Sequence, residues 1–260
     1  MALDICMILL REGNSLLPSS IERELRSRYP ELEASITDDK GGTPSFKLKN
    51  AELILGSMPA PIPWSDLEGP CATSVLWKNA AEEVRFHQAH IIVTLLSQLN
   101  PVEHSVLLTQ TTTAILAACD AAIGVYWGSA TLVAPKDIFI EFAERVLPLG
   151  PPLDIWVDFR VGWETRATSV GFTQGMEALG HMEMEMHGVP EKPGELRQRL
   201  QDLARYLLRN GAVIHDGETV GQNAEEKLRV VYSKSAFGHD KTVMRLNYEG
   251  REARPWWKLW

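Results

Sequence analysis

In the first half of the chain, short apolar runs alternate with amphipathic stretches in one order, and that order restricts the fold more than any other feature. "LDICMILL" (3–10) is the apolar run of a buried strand. Ser19, with Glu22 three residues on, has the form of a capping box opening the helix "SIERELRSRY", which stops near Pro30. "AELILGS" (51–57) and "HIIVTLL" (90–96) follow as strands. Asn100 then caps a helix with Pro101 at its first position and Glu103 in its first turn, running to about Ala121, and "IGVYWG" (123–128) is a further strand. The sequence β-α-β-β-α-β is that of a split βαβ, ferredoxin-like unit. "KDIFIEFAERVL" adds a helix with Ile138, Phe139, Phe142 and Val146 on one face.

Gly150, Pro151 and Pro152 punctuate the chain and divide it into a first half, 1–150, and a second half, 151–250, ahead of a tryptophan-rich tail, 251–260; the two halves can also share one continuous sheet. In "LDIWVDFR" (153–160), Leu153, Ile155, Val157 and Phe159 alternate with Asp154, Trp156, Asp158 and Arg160, the pattern of a half-buried strand, with "TSVGFTQG" as its neighbour. "PGELRQRLQDLARYLLRNG" keeps Leu196, Leu200, Leu203 and Leu207 at helical spacing, and Asn210-Gly211 stops it. "KLRVVYS" and "TVMRLNY" form a closing hairpin around "FGHDK". The expected fold is therefore α+β: a ferredoxin-like first half joined to a mainly antiparallel second half with one long helix.

The 260 residues carry a formal net charge of -8. That balance opposes direct nucleic-acid binding, which needs a basic face to displace phosphate counterions, and favours a basic partner where acids cluster. Cys6, Cys71 and Cys119 are widely spaced and odd in number, the pattern of reduced core thiols in a cytoplasmic protein. "MALDICMILL" lacks a basic leader and is interrupted by Asp4, so it is expected to be a strand rather than an export signal. No apolar run reaches the roughly 18 residues of a membrane helix. In the tail "REARPWWKLW", Trp256, Trp257 and Trp260 sit beside Arg254 and Lys258; folding back over an apolar patch best explains three indoles there, with partner or membrane-interface contact as the alternatives.

One stretch invites a chemical reading. In "HMEMEMH" (181–187) the methionines alternate with His181, Glu183, Glu185 and His187, so an extended chain puts the sulfurs on one face and four potential ligands on the other. At roughly 3.3 Å per residue the four span about 20 Å, and a single zinc, with ligands at about 2 Å, can use only a neighbouring pair. A polar face opposite buried methionines is the plainer reading. His87 and His90, with Glu83 one turn earlier, straddle a helix-to-strand junction and are expected to diverge as a structural pair. The nucleophile elbow, the P-loop, the H-E-x-x-H zinc helix and the dinucleotide-binding glycine loop are all missing from the sequence. "HDGETVG" (215–221) reads as a turn around Asp216-Gly217.

Several stretches taken together resemble a bacterial family known only as a domain of unknown function: "APIP" (60–63), "AHIIV" (89–93), "WVDFR" (156–160), the Gly180, Glu183, Met184, Glu185 run and "DGETVG" (216–221), in that order. His181 and His187 fall outside its pattern. The family has no catalytic residues to carry over. Some of its members are similar to immunity proteins encoded beside toxins of the type VI secretion system, nuclease toxins among them. The resemblance implies a cytoplasmic, non-enzymatic, cofactor-free protein that occludes a cognate toxin by direct protein–protein contact. That toxin is expected to be basic and nuclease-like, with no membrane partner. An acidic inhibitor can occupy a phosphate-binding cleft, so Glu183, Glu185, Asp216, Glu218, Glu225 and Glu226 are the candidate toxin-binding acids, with Trp163 as the apolar anchor. The alternative is a metal-dependent hydrolytic enzyme built on the His181, Glu183, Glu185, His187 face.

Overall fold

The computed structural model describes residues 5–13, 17–38, 43–221 and 227–249. These form an α+β protein whose chain divides into two compact units, Met1–Asp158 and Phe159–Trp260. The tail tryptophans lie outside the described residues.

The first unit holds a seven-stranded antiparallel sheet. Its strands are β1 (Ile5–Leu10), β2 (Ser35–Asp38), β3 (Ser45–Leu48), β4 (Ala51–Met58), β5 (Ala89–Ser97), β6 (Ala122–Trp127) and β7 (Leu132–Pro135), in the order β2-β3-β4-β5-β1-β6-β7. The central four, β4-β5-β1-β6, have the split βαβ order expected from the sequence, with α1 (Pro18–Arg28) after β1 and α4 (Pro101–Ala118) after β5. The added strands β2, β3 and β7 have four residues each, too few for a periodic pattern to stand out. Asn100 caps α4 as expected: Oδ1 accepts the Glu103 amide at 3.0 Å, and the Glu103 carboxylate accepts the Asn100 amide at 3.4 Å. Ser19 does not cap α1. Pro18 presets the first turn one residue earlier, and Glu22 instead pairs with Arg26 at 2.9 Å.

Each sheet face has its own cover. The Cys6 face of β1 meets α4, where Thr112 Oγ1 lies 3.5 Å from Cys6 Sγ. The Leu9 face packs under α2 (Trp64–Thr73) and α3 (Ala80–Val84), in a cluster of Leu9, Ile62, Leu67, Trp77, Val84 and Val133. Helix α4 is buried on most of its surface, so its hydroxyls must find partners within the core. Thr109 and Thr113 donate back to the carbonyls of Ser105 and Thr109, each at 2.8 Å. Thr109 Oγ1 also accepts the indole N–H of Trp156 at 2.8 Å.

That last contact corrects the reading of "LDIWVDFR". After α5 (Lys136–Glu141), Pro151 and Pro152 start a single helical turn, α6 (Leu153–Trp156), and the β-strand begins only at Asp158. The turn breaks the alternation, so Trp156 is buried together with Ile155 and Val157.

Two residues fix the α2–α3 side. Gly124 leaves no room for a side chain, because a Cβ there would stand 2.4 Å from the Trp77 ring and 2.5 Å from the Ala134 carbonyl oxygen. His87, buried, accepts the Ile62 amide on Nε2 at 2.8 Å and places Nδ1 2.7 Å from the Val84 oxygen, so the ring proton sits on Nδ1. His90 places its Nδ1 2.8 Å from the Ala60 oxygen.

The second unit has a six-stranded sheet in the order β11-β12-β13-β10-β9-β8. Its strands are β8 (Asp158–Trp163), β9 (Ser169–Gln174), β10 (Met184–Val189), β11 (Thr219–Val220), β12 (Leu228–Lys234) and β13 (Thr242–Tyr248). β12 and β13 form the expected hairpin, while β10 runs parallel to β13 and antiparallel to β9. The long helix α7 (Pro193–Asn210) buries Leu196, Leu200, Ala204 and Leu207 and ends at Gly211, whose φ of 57° is a left-handed cap. Across one face of the sheet, a Cβ on Gly171 would meet Leu196 at 3.0 Å, so α7 and β9 lie as close as their side chains permit.

Gly124→Ala is expected to destabilise the protein by about 2 kcal/mol, because the contact is with backbone and a packed ring; urea unfolding measures it. Burial lowers the pKa of His87, the Val84 bond opposing and the His90 charge adding to it. The unfolded chain therefore binds the extra proton first, and stability falls as pH drops below about 6.5. Urea titrations at pH 7.5 and pH 5.5 are expected to show this loss in the wild type and a smaller one in His87→Phe.

Candidate functional site

The "HMEMEMH" stretch occupies the centre of the second sheet, and both of its faces are covered. Met186 pairs with Gly171 and so faces α7, while Glu185 pairs with Phe172 and Arg245 on the opposite face. That opposite face is not open to solvent. The segment from Ser235 to Lys241, connecting β12 to β13, lies over it as a strap, and Glu185 is 0% exposed.

The strap is held by the Glu185 carboxylate. Ser235 Oγ donates to Oε1, and the Ala236 amide donates to Oε2 at 3.2 Å. Arg245 Nη2 approaches Oε2 at 3.4 Å and also reaches the Lys234 carbonyl at 3.1 Å. His187 Nε2 stands 3.5 Å from Oε2, with Nδ1 3.6 Å from Glu164 Oε1. Burial pushes the Glu185 carboxyl up, but His187, Ser235 and the Ala236 amide outweigh it and hold the group down at about 2. Phe237 completes the strap by stacking on Phe172, with centroids 4.4 Å apart, and on His187, 5.0 Å apart.

Two residues earlier, Glu183 is 6% exposed and has different partners. Thr173 Oγ1 donates to it at 2.7 Å, and the amides of Gly175 and Glu177 donate at 2.7 and 3.1 Å. Gly175, at φ 117°, supplies the backbone course that brings these amides to the carboxylate. Burial pushes this carboxyl up, with the Thr173 and backbone bonds opposing. His181 lies beyond it in a cleft of about 760 Å³ shared with His239, Lys241 and Glu177. Burial lowers the pKa of His181.

The four residues proposed as metal ligands fall into two pairs: Glu185 and His187 belong to the strap network, whereas Glu183, held in its backbone nest, lines the same cleft as His181. Among the described residues, no three His, Cys, Asp or Glu side chains group to hold a metal ion. The expected acidic surface is also dispersed. Glu183 and Glu185 are buried, and Glu225 and Glu226 lie outside the described residues. Asp216 and Glu218 are exposed, but each fixes the turn that carries it: Asp216 Oδ1 accepts the Tyr232 amide at 2.8 Å, and Glu218 Oε2 accepts the His215 amide at 2.7 Å. Gly217, at φ 83°, sits between them.

Trp163, the proposed anchor, is 58% exposed at the end of β8. The turn after it is tightly bonded. Glu164 Oε2 accepts the Gly188 amide at 2.6 Å, the Glu164 amide reaches the Thr168 oxygen at 2.9 Å, and the Thr165 and Thr168 hydroxyls lie 2.7 Å apart. The sequence reading missed Glu164, Thr173, Ser235, Phe237 and Arg245. Gly175 and Gly188, both at positive φ, were the available signals of a chain bent around a polar group.

Residues 172–247 match the family described as a domain of unknown function (DUF4261). The match runs from the strap's stacking partner Phe172 through both buried carboxylates and the Asp216 turn to β13. No curated protein and no solved structure matches the chain. Among the described residues, no helix is long and apolar enough to cross a membrane.

Glu185→Gln replaces an acceptor-only carboxylate with a neutral amide in a buried cationic setting and is expected to destabilise the fold by about 3 kcal/mol. Amide exchange at Ala236 and Phe237 should accelerate beyond the global change. Because the folded-state pKa is depressed, the wild-type contribution is complete above about pH 4.5 and is lost as pH falls through about 2; acid titration of the variant should lack that component.

Proposed function

We propose that this protein acts by binding another protein, and that its partner is a secreted bacterial toxin that it neutralises by occlusion in the cytoplasm. The carrying observation is Trp163, an indole 58% exposed on a turn fixed by Glu164, Thr165 and Thr168. A large amphipathic ring held in solvent by rigid surroundings loses little entropy on contact, which is the condition of an interface anchor. The net charge of -8 supports a basic partner, and Asp216 and Glu218 keep exposed carboxylates on a fixed turn. The ordered motifs resemble a family some of whose members are similar to immunity proteins of type VI secretion, and this supports the toxin and its nuclease character.

The buried carboxylates have no part in such contact. Glu183 and Glu185 shape the domain, and the strap held by Glu185 carries Phe237, itself partly exposed beside His187. The exposed groups left for toxin contact are Trp163 on β8, at one edge of the sheet, and the acidic turn before β11, at the other.

Co-expression with the toxin encoded beside this gene is expected to restore growth and to give a co-purifying complex. Trp163→Ala should weaken that complex by about tenfold or more without moving the urea midpoint. Failure of both rescue and co-purification would sink the reading.

A further inference from the structure

Phe86, in the first unit, is 75% exposed, yet the chain around it is fixed. Val84 before it and His87 after it are both buried. His87 joins the Ile62 amide to the Val84 carbonyl, so the link between those two residues has a single course and turns Arg85 and Phe86 outward. The Arg85 guanidinium lies over the Trp64 ring, 4.8 Å from its centroid. Phe86 is left as a bare aromatic side chain on a rigid mount.

Carboxylates outnumber cations around this mount. Glu82 and Glu83, exposed on α3, precede Phe86 by four and three residues, and Phe86 stands in the turn just after that helix. Asp66 and Glu68 are exposed on α2, which shares a buried cluster with α3 through Leu67, Cys71, Ala80 and Val84. Elsewhere in this unit Glu22, Glu24 and Glu141 are bridged to arginines. Glu68, Glu82 and Glu83 have no ion-pair partner among the described residues. The nearby cations are Lys78 and Arg85, and the latter is already seated on Trp64.

We propose that this α2–α3 face is a docking surface for a basic protein, whose apolar pocket receives Phe86 while its lysines or arginines meet the carboxylates of Asp66, Glu68, Glu82 and Glu83. The inference rests on the reading that the chain works by protein contact, and it adds a surface distinct from Trp163. A desolvated aromatic anchor supplies residence time, and the uncompensated carboxylates steer association.

The test uses the full chain with the photo-crosslinking residue p-benzoylphenylalanine at position 86, at 163, or at the more exposed control Leu149, in the cells that naturally produce the protein. Crosslinked proteins are identified by mass spectrometry, purified and titrated against the wild type. The expected result is a crosslink through position 86 to a protein of isoelectric point above about 9. Its affinity should fall about tenfold or more with Phe86→Ala. Its association rate at low salt should fall about tenfold in Glu82→Lys/Glu83→Lys. Neither variant should move the urea midpoint. A crosslink through 86 to a second copy of this chain or to an acidic protein, or a basic protein indifferent to Phe86→Ala, overturns the proposal. Crosslinks through 163 with none through 86 overturn this surface and leave the protein-contact reading standing. Their absence at both positions overturns the two together.

Discussion

A carboxylate at the centre of a β-sheet must be fully partnered or it destabilises the fold by several kcal/mol, and the second unit is organised around that requirement. Glu185 is ionised and entirely buried, so a hydroxyl, an amide, the Arg245 guanidinium and the His187 ring have to converge on it. Ser235 and Ala236 can do so only if the link between β12 and β13 crosses the outer face of the sheet. The strap, the stacked Phe237 and the clamped His187 follow from that crossing. Glu183, two residues away, meets the same demand differently. It is surrounded by dipoles rather than by close cations, and its pKa moves up while that of Glu185 moves down.

The first unit obeys the same rule with neutral groups. The buried hydroxyls of Ser105, Thr109, Thr111 and Thr113 bond their own helix, Thr112 reaches Cys6, and Thr109 has an acceptor site left for the Trp156 indole. His87 takes one backbone amide and gives its proton to one carbonyl, which satisfies both ring nitrogens without charge. In each case a polar core residue fixes the course of an irregular segment. The exposed aromatic residues then acquire definite positions. Phe86 and Trp163 stand in solvent because the residues beside them are immobilised, not because their loops lack structure.

This arrangement changes what the recurring motifs mean. Glu183 and Glu185 build the interior, Gly180 closes a short helical turn, and the Asp216, Gly217 and Glu218 turn binds its own backbone. Such residues are needed by any chain with this fold, whatever it does. Function is better sought in groups that do nothing for folding, and in this protein these are rigidly held apolar side chains and unpaired carboxylates.

The sequence determined the order β-α-β-β-α-β, the Asn100 cap, the closing hairpin and the Gly211 stop, since each depends on local periodicity or on one residue's backbone preference. It also marked "HMEMEMH" as unusual. Whether that stretch was half exposed could not be read from alternation, because alternation reports which face a side chain takes and not what covers that face. The cover comes from residues some fifty positions downstream, at Ser235 and Phe237. The same limit applies at "LDIWVDFR", where alternation suggested a strand and two prolines with the distant Thr109 made a buried turn instead. Local chemistry selected the elements; burial, which decides the charge state and accessibility of every carboxylate considered as a site, depended on contacts between distant parts of the chain.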